Sequence, residues 1–168
     1  MPHVIVIDIQ EKLLGVMAEA DALLANCIQF LQIAQELKLE ILASEQNPSK
    51  LGPSVAPLQA FLGTPHTKEH FSAAPVLTPL LPAKAHLILL GIEAHVCVYQ
   101  SAKDFLRAGF EVTILEDCTS SRDMRNKARA LADLQHYGAH ILSNEIVAFE
   151  CMQTYTHPSF RAISKLIK

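Results

Sequence analysis

Leu87-Ile-Leu-Leu-Gly-Ile-Glu-Ala-His-Val-Cys97 decides the reading of this chain. An apolar run breaks at Gly91, turns through Ile92 to Val96 and delivers a cysteine to the start of a helical segment. A short apolar run bounded by glycine suits a strand buried on both faces. A thiol at a strand–turn–helix junction sits where an α/β fold presents a nucleophile.

Working outward, similar strand signals recur at 3–9, 40–46, 85–92, 110–117 and 139–142. Helical period fills 21–38, with Leu23, Leu24, Cys27, Leu31, Ala34 and Leu37 on one side and Asp21 as a candidate N-cap. Further helices are predicted over 96–109, 123–137, 144–152 and 158–167, with Gly109 and Gly138 as C-terminal stops. Strands alternating with helices predict an α/β fold of three layers: a doubly wound, Rossmann-like, mostly parallel sheet with helices on both faces. No repeat, low-complexity tract or linker divides the chain, so one domain over 1–168 is expected.

Two segments resist this pattern. Residues 47–57 carry three prolines and a glycine and read as a loop, with room for a short helix after Pro53. Residues 64–82 are also broken by prolines, and 67–73 reads as a small strand or extended arm. Loops after strand C-termini line the crevice in this fold class.

Composition narrows the function. Half of the residues are apolar and 18% are charged, which suits a packed domain rather than a disordered chain. The formal net charge is −3 and the cations are scattered, so no nucleic-acid partner is expected. No apolar run is long enough for a membrane span, and no secretory signal is visible, so a cytoplasmic location is expected. The four cysteines, Cys27, Cys97, Cys118 and Cys151, form no CxxC pair, so zinc and structural disulfides are not expected. Cys27 reads as a packing residue, and Cys118, at a strand end, has the second claim to function after Cys97.

On residue grounds alone, Cys97 is either a nucleophile or a packed helix-start cysteine. A helix N-terminus would lower its pKa. A thiol nucleophile needs a base and a balancing cation, and Asp8 and Lys68 are the candidate carboxylate and ammonium. Asp8 lies at the C-terminal end of the first strand, where it either works in a crevice or caps a turn. Lys68 alone could equally be a solvated surface lysine. His95 is a rival base, but residues two apart at a helix start point in different directions.

The chain resembles the isochorismatase-like family of cysteine hydrolases. Val4-Ile-Val-Ile-Asp-Ile-Gln10 resembles the family's opening strand, Lys68-Glu-His-Phe-Ser72 its lysine segment, and Gly91 to Val98 its nucleophile motif, in the same order. Phe105 to Gly109 and Asp117 to Ser120 resemble later landmarks. The resemblance implies a triad of Asp8, Lys68 and Cys97 acting through a thioester on an amide-like small-molecule substrate. It also implies a cis peptide at Ile92–Glu93 and an oxyanion hole from the N–H groups of Glu93 and Cys97. Gln10, Gln46, Phe71 and Glu93 are the implied pocket residues, no cofactor is implied, and self-association is expected.

One departure is informative. Nicotinamidases in the family carry an Asp-x-His metal motif after the second strand, whereas Ser44-Glu-Gln-Asn47 stands here. The site therefore reads as metal-free, like the group called isochorismatase domain-containing proteins. Glu93, large and charged, suggests a pocket for a cationic or polar substrate. The competing classes are a non-catalytic binding or scaffold module and a redox thiol protein. A dinucleotide enzyme lacks its Gly-x-Gly-x-x-Gly.

Overall fold

Every strand of the central sheet runs parallel to its neighbours, in the order β3-β2-β1-β4-β5-β6. The computed structural model describes residues 1–168. The strands are β1 (His3–Ile7), β2 (Glu40–Gln46), β3 (His66–Lys68), β4 (His86–Ile92), β5 (Glu111–Ser120) and β6 (His140–Leu142). The helices are α1 (Glu11–Leu14), α2 (Ala20–Glu36), α3 (Pro48–Leu51), α4 (Ala56–Leu62), α5 (Ala74–Leu77), α6 (Tyr99–Arg107), α7 (Met124–Tyr137), α8 (Asn144–Met152) and α9 (Phe160–Ile167). The expected α/β class with helices on both faces holds.

Period-two alternation builds the layers. Val4 and Val6 of β1, with Ile88 and Leu90 of β4, face one core, completed by Leu23, Cys27, Phe30 and Leu31 of α2 and Leu58 of α4. Their neighbours Ile5, Ile7, Leu87 and Leu89 face the other, against Leu77 of α5, Phe105 of α6 and Leu134 of α7. A third small cluster joins Ile33 of α2, Met152 of α8 and Ile163 of α9.

The sheet order reverses direction between β1 and β4. Crevices form at such a switch point, beyond the strand C-termini. Here the two strands come unusually close. Gly91 pairs with Ile7 and has φ 138°, and a Cβ at that position would overlap the Ile7 carbonyl. Only glycine meets both demands. It lets Asp8, directly after β1, stand beside the turn that follows β4.

Several local readings change. The register shifts between Leu89 and Gly91, so that Gly91 meets Thr119 and Ile92 meets Ser120. This bulge carries β5 through Ser120, beyond the expected end at Asp117. Cys118 is therefore inside a strand, fully buried, with the Cys27 thiol 3.6 Å from its carbonyl oxygen. Its second claim to function gives way to packing. The 47–57 segment contains α3 and the start of α4, each with proline in its first turn, where a missing N–H costs nothing. The 64–82 segment supplies β3, α5 and a 3₁₀ turn at Thr78–Leu80. The helix expected over 96–109 begins as a π-turn, Ala94–Val98, before α6. Asp21 lies in the first turn of α2 rather than capping it.

Gly91→Ala is expected to lower stability by about 3 kcal/mol or more, since it adds both positive-φ strain and a backbone clash. Gly138→Ala, with open space around its Cβ, should cost only about 1 kcal/mol. Urea denaturation of the two variants, read by circular dichroism, checks the ranking.

Candidate active site

Three strand ends supply the site. Asp8 follows β1, Lys68 closes β3, and Cys97 lies in the π-turn after β4. All three are buried: Asp8 is 0%, Lys68 2% and Cys97 6% exposed. Lys68 Nζ stands 2.6 Å from Asp8 Oδ2. The strand between them, β2, explains why a lysine is needed: two inter-strand spacings are about 10 Å, and only a long side chain crosses that gap.

Both charges are held from several sides. Ser44 Oγ donates to Asp8 Oδ1 at 2.8 Å, and the Asp8 N–H donates to the Ser44 carbonyl at 3.2 Å. Asp8 itself has φ 52°, in the left-handed region. Lys68 Nζ donates to Gln46 Oε1 at 2.7 Å, to the Phe71 carbonyl at 2.9 Å and to the His70 carbonyl at 3.2 Å. Asp8 Oδ2 meets the ammonium as an ion contact, off the angle of a hydrogen bond, and accepts no aligned donor.

Cys97 sits in the field of this pair. Burial pushes its thiol up to about 12, the Asp8 charge adds to the rise, and Lys68 opposes it. The lowered pKa expected of a helix-start thiol is thus corrected. The resting group is a neutral thiol under the influence of both charges.

The family model described as "Isochorismatase domain" matches residues 2–146. The chain belongs to the isochorismatase family. Isochorismatase domain-containing protein 2A of Mus musculus is 33% identical over 164 residues, covering 96% of this chain and 80% of that protein. A Caenorhabditis elegans structure described as MAR1 ribonuclease superposes with a TM-score of 0.93 at 30% identity, covering 99% of this chain and 88% of that one. The YcaC gene product of Escherichia coli, described as an octameric hydrolase of unknown specificity, has a TM-score of 0.88 at 19% identity, with 99% and 86% covered. The fold is that of the isochorismatase-family hydrolases.

Around this family's crevice, the implied pocket residues of this chain are not equally open. The Gln10 amide donates to the carbonyls of Gln46 (3.0 Å) and Gly52 (2.7 Å) and accepts from the Gln46 N–H (2.8 Å). It is a buried tether for the segment after β2. Gln46 bridges Lys68 and the Glu69 carbonyl, so it holds the ammonium. Phe71 is 53% exposed and offers its ring to the surface. Glu93 accepts from the Arg122 N–H at 3.2 Å and from Arg122 Nε at 3.0 Å. That ion pair offsets the negative charge and removes the reason to expect a cationic substrate.

The Ile92–Glu93 peptide is cis, and the Glu93 N–H donates to no group of the chain. The Cys97 N–H belongs to the same turn. His95 points elsewhere: its Nδ1 lies 2.9 Å from Ser121 Oγ. Glu45 accepts from the Ser54 N–H and hydroxyl at 2.6 and 2.8 Å. Ser44 escaped the sequence reading as a site residue. The available signal was its place at the end of the strand next to Asp8.

A raised thiol pKa also links stability to pH. The folded state holds the Cys97 proton more tightly than the unfolded chain, whose thiol has the ordinary value of 9.0. Its stabilising contribution is therefore complete below about pH 9 and lost as pH rises toward 12. Wild-type protein should lose stability relative to Cys97→Ala over that window, as denaturation midpoints at pH 8 and pH 10.5 would show.

Proposed function

We propose that this protein is a cysteine-dependent hydrolase of small amide-like substrates, cleaving a non-peptide C–N bond through a thioester on Cys97. The observation that carries this reading is the convergence of Asp8, Lys68 and Cys97 at one buried point. The Cys97 sulfur attacks the carbonyl carbon while its proton passes to Asp8. A C–S bond forms, and the carbonyl electron pair moves to oxygen, facing the N–H groups of Glu93 and Cys97. Collapse of this intermediate breaks the C–N bond, and Asp8 returns the proton to the departing amine. Water then attacks the thioester, gives its proton to Asp8, and the C–S bond breaks as sulfur is reprotonated. Throughout, Lys68 balances the negative charge, which moves from carboxylate to sulfur or oxygen and back.

A neutral resting thiol suits this cycle because a carboxylate that acts on the thiol is already part of the site. Four free thiols suit a reducing compartment such as the cytoplasm. No helix is long and apolar enough to cross a membrane. Exposed Phe71, Ile146, Phe149 and Tyr155 support self-association. The competing reading is a non-catalytic α/β binding or scaffold module.

A panel of small primary and N-substituted amides should contain a substrate whose turnover falls at least about 10³-fold in Cys97→Ala and about 10²-fold or more in Asp8→Asn and Lys68→Met. Denaturant quench followed by digestion and peptide mass mapping should show an acyl adduct on the Cys97 peptide. An RNA oligonucleotide belongs in the panel because the worm relative is called a ribonuclease. With a net charge of −3 and no basic run, no Cys97-dependent RNA cleavage is expected. Absence of Cys97-dependent turnover across the whole panel would favour the scaffold reading.

A further inference from the structure

The mechanism uses Asp8 but leaves open which of its oxygens takes the proton and what fixes that choice. The carboxylate is 0% exposed, so water does not orient it. Its two oxygens have different surroundings. Oδ1 accepts the Ser44 hydroxyl at 2.8 Å. Oδ2 faces Lys68 Nζ at 2.6 Å and has no aligned donor. Ser44 is itself 1% exposed, and its register position opposite Ile7 fixes its backbone beside Asp8. The Asp8 N–H to Ser44 carbonyl bond ties the same two residues a second time.

We propose that Ser44 is a positioning residue that assigns the Asp8 oxygens separate tasks, with Oδ1 anchored by its hydroxyl and Oδ2 turned toward Lys68 and Cys97 as the proton acceptor. This rests on the reading in which Asp8 takes the Cys97 proton. A carboxylate turns about its Cα–Cβ and Cβ–Cγ bonds, and the ammonium alone would accept either oxygen. The hydroxyl breaks that symmetry. It donates to one oxygen only and leaves the lone pairs of the other to the thiol. The charged and titratable groups acting at Asp8 are Lys68 from β3 and Cys97 from the turn after β4, and the neutral Ser44 comes from β2. Without the hydroxyl, Oδ1 would be a buried acceptor with no donor, and the carboxylate would rotate to share Lys68 between both oxygens.

The test needs no knowledge of the substrate. Iodoacetamide alkylates Cys97 by forming an S–C bond as iodide leaves, and the thiol proton must pass to a base. We would compare wild type, Ser44→Thr, Ser44→Val, Ser44→Ala and Asp8→Asn at pH 7.5 by mass spectrometry of the Cys97 and Cys151 peptides. Threonine and valine are nearly isosteric, and both suit a strand, so this pair isolates the hydroxyl. The proposal expects Ser44→Thr within about threefold of wild type, Ser44→Val and Ser44→Ala at least about tenfold slower at Cys97, and Cys151 unchanged in all. A merely structural role would loosen the fold and speed labelling of Cys151 and the buried Cys27. Ser44→Ala, the smaller change, serves if valine impairs folding. Cys97 rates within twofold of wild type in the variants lacking the hydroxyl, with Asp8→Asn slow, would overturn the role of Ser44 alone. An Asp8→Asn rate equal to or above wild type, the behaviour of a thiol that ionises unassisted once the Asp8 charge is gone, would overturn the parent reading.

Discussion

The ion pair between Lys68 and Asp8 is the contact on which the crevice depends. Both partners are almost fully removed from water, and a buried charge left alone costs several kcal/mol. The surrounding structure reads as the means of holding the two together. Ser44 donates to the carboxylate, while Gln46 and the carbonyls of His70 and Phe71 accept from the ammonium. Gln10 in turn fixes Gln46 and the segment that follows β2. The short strand β3, only three residues long, exists at the place where it delivers Lys68 to the sheet edge. Stability and site geometry are therefore the same network here, and removing either charge should be felt by both.

Cys97 shows which physical effect wins at a buried thiol in the first turn after a strand. A helix dipole is worth about 0.3–1 kcal/mol to a charge at its N-terminus. A rise in thiol pKa from 9.0 to about 12 corresponds to roughly 4 kcal/mol against the thiolate. Burial and the adjacent Asp8 charge therefore outweigh the turn. In the resting site the thiol therefore keeps its proton at neutral pH.

The sheet and its helices were legible because alternation and helical period are local properties of the chain. Val4 to Ile7 and Leu87 to Leu90 declare strands with no knowledge of their partners. Residue type and place along the chain made Asp8, Lys68 and Cys97 candidates, and the family resemblance joined them as a triad, which no local pattern could do. The rest depended on distant pairing. The bulge at Leu89 to Gly91 extends β5 past Asp117 and buries Cys118, a consequence invisible along one strand. The partnering of Glu93 by Arg122 joins residues 29 apart in sequence, and that of Asp8 by Ser44 joins residues 36 apart. Such contacts decide what a charged side chain does, and composition does not reveal them. The lowered thiol pKa failed for the same reason, since it assumed an exposed helix start.

If Cys97 and Asp8 act as one proton-sharing unit, the ionisation of one must depend on the charge of the other. Carbon-13 NMR of the protein labelled at cysteine Cβ, with resonances assigned by single substitution, follows the Cys97 thiol through a pH titration. The expected result is that Cys97 stays protonated through pH 10 in the wild type and that Asp8→Asn moves its titration to lower pH, because the Asp8 charge is among the causes of the rise. A Cys97 that titrates as an ordinary thiol, at the same pH in both proteins, would contradict it.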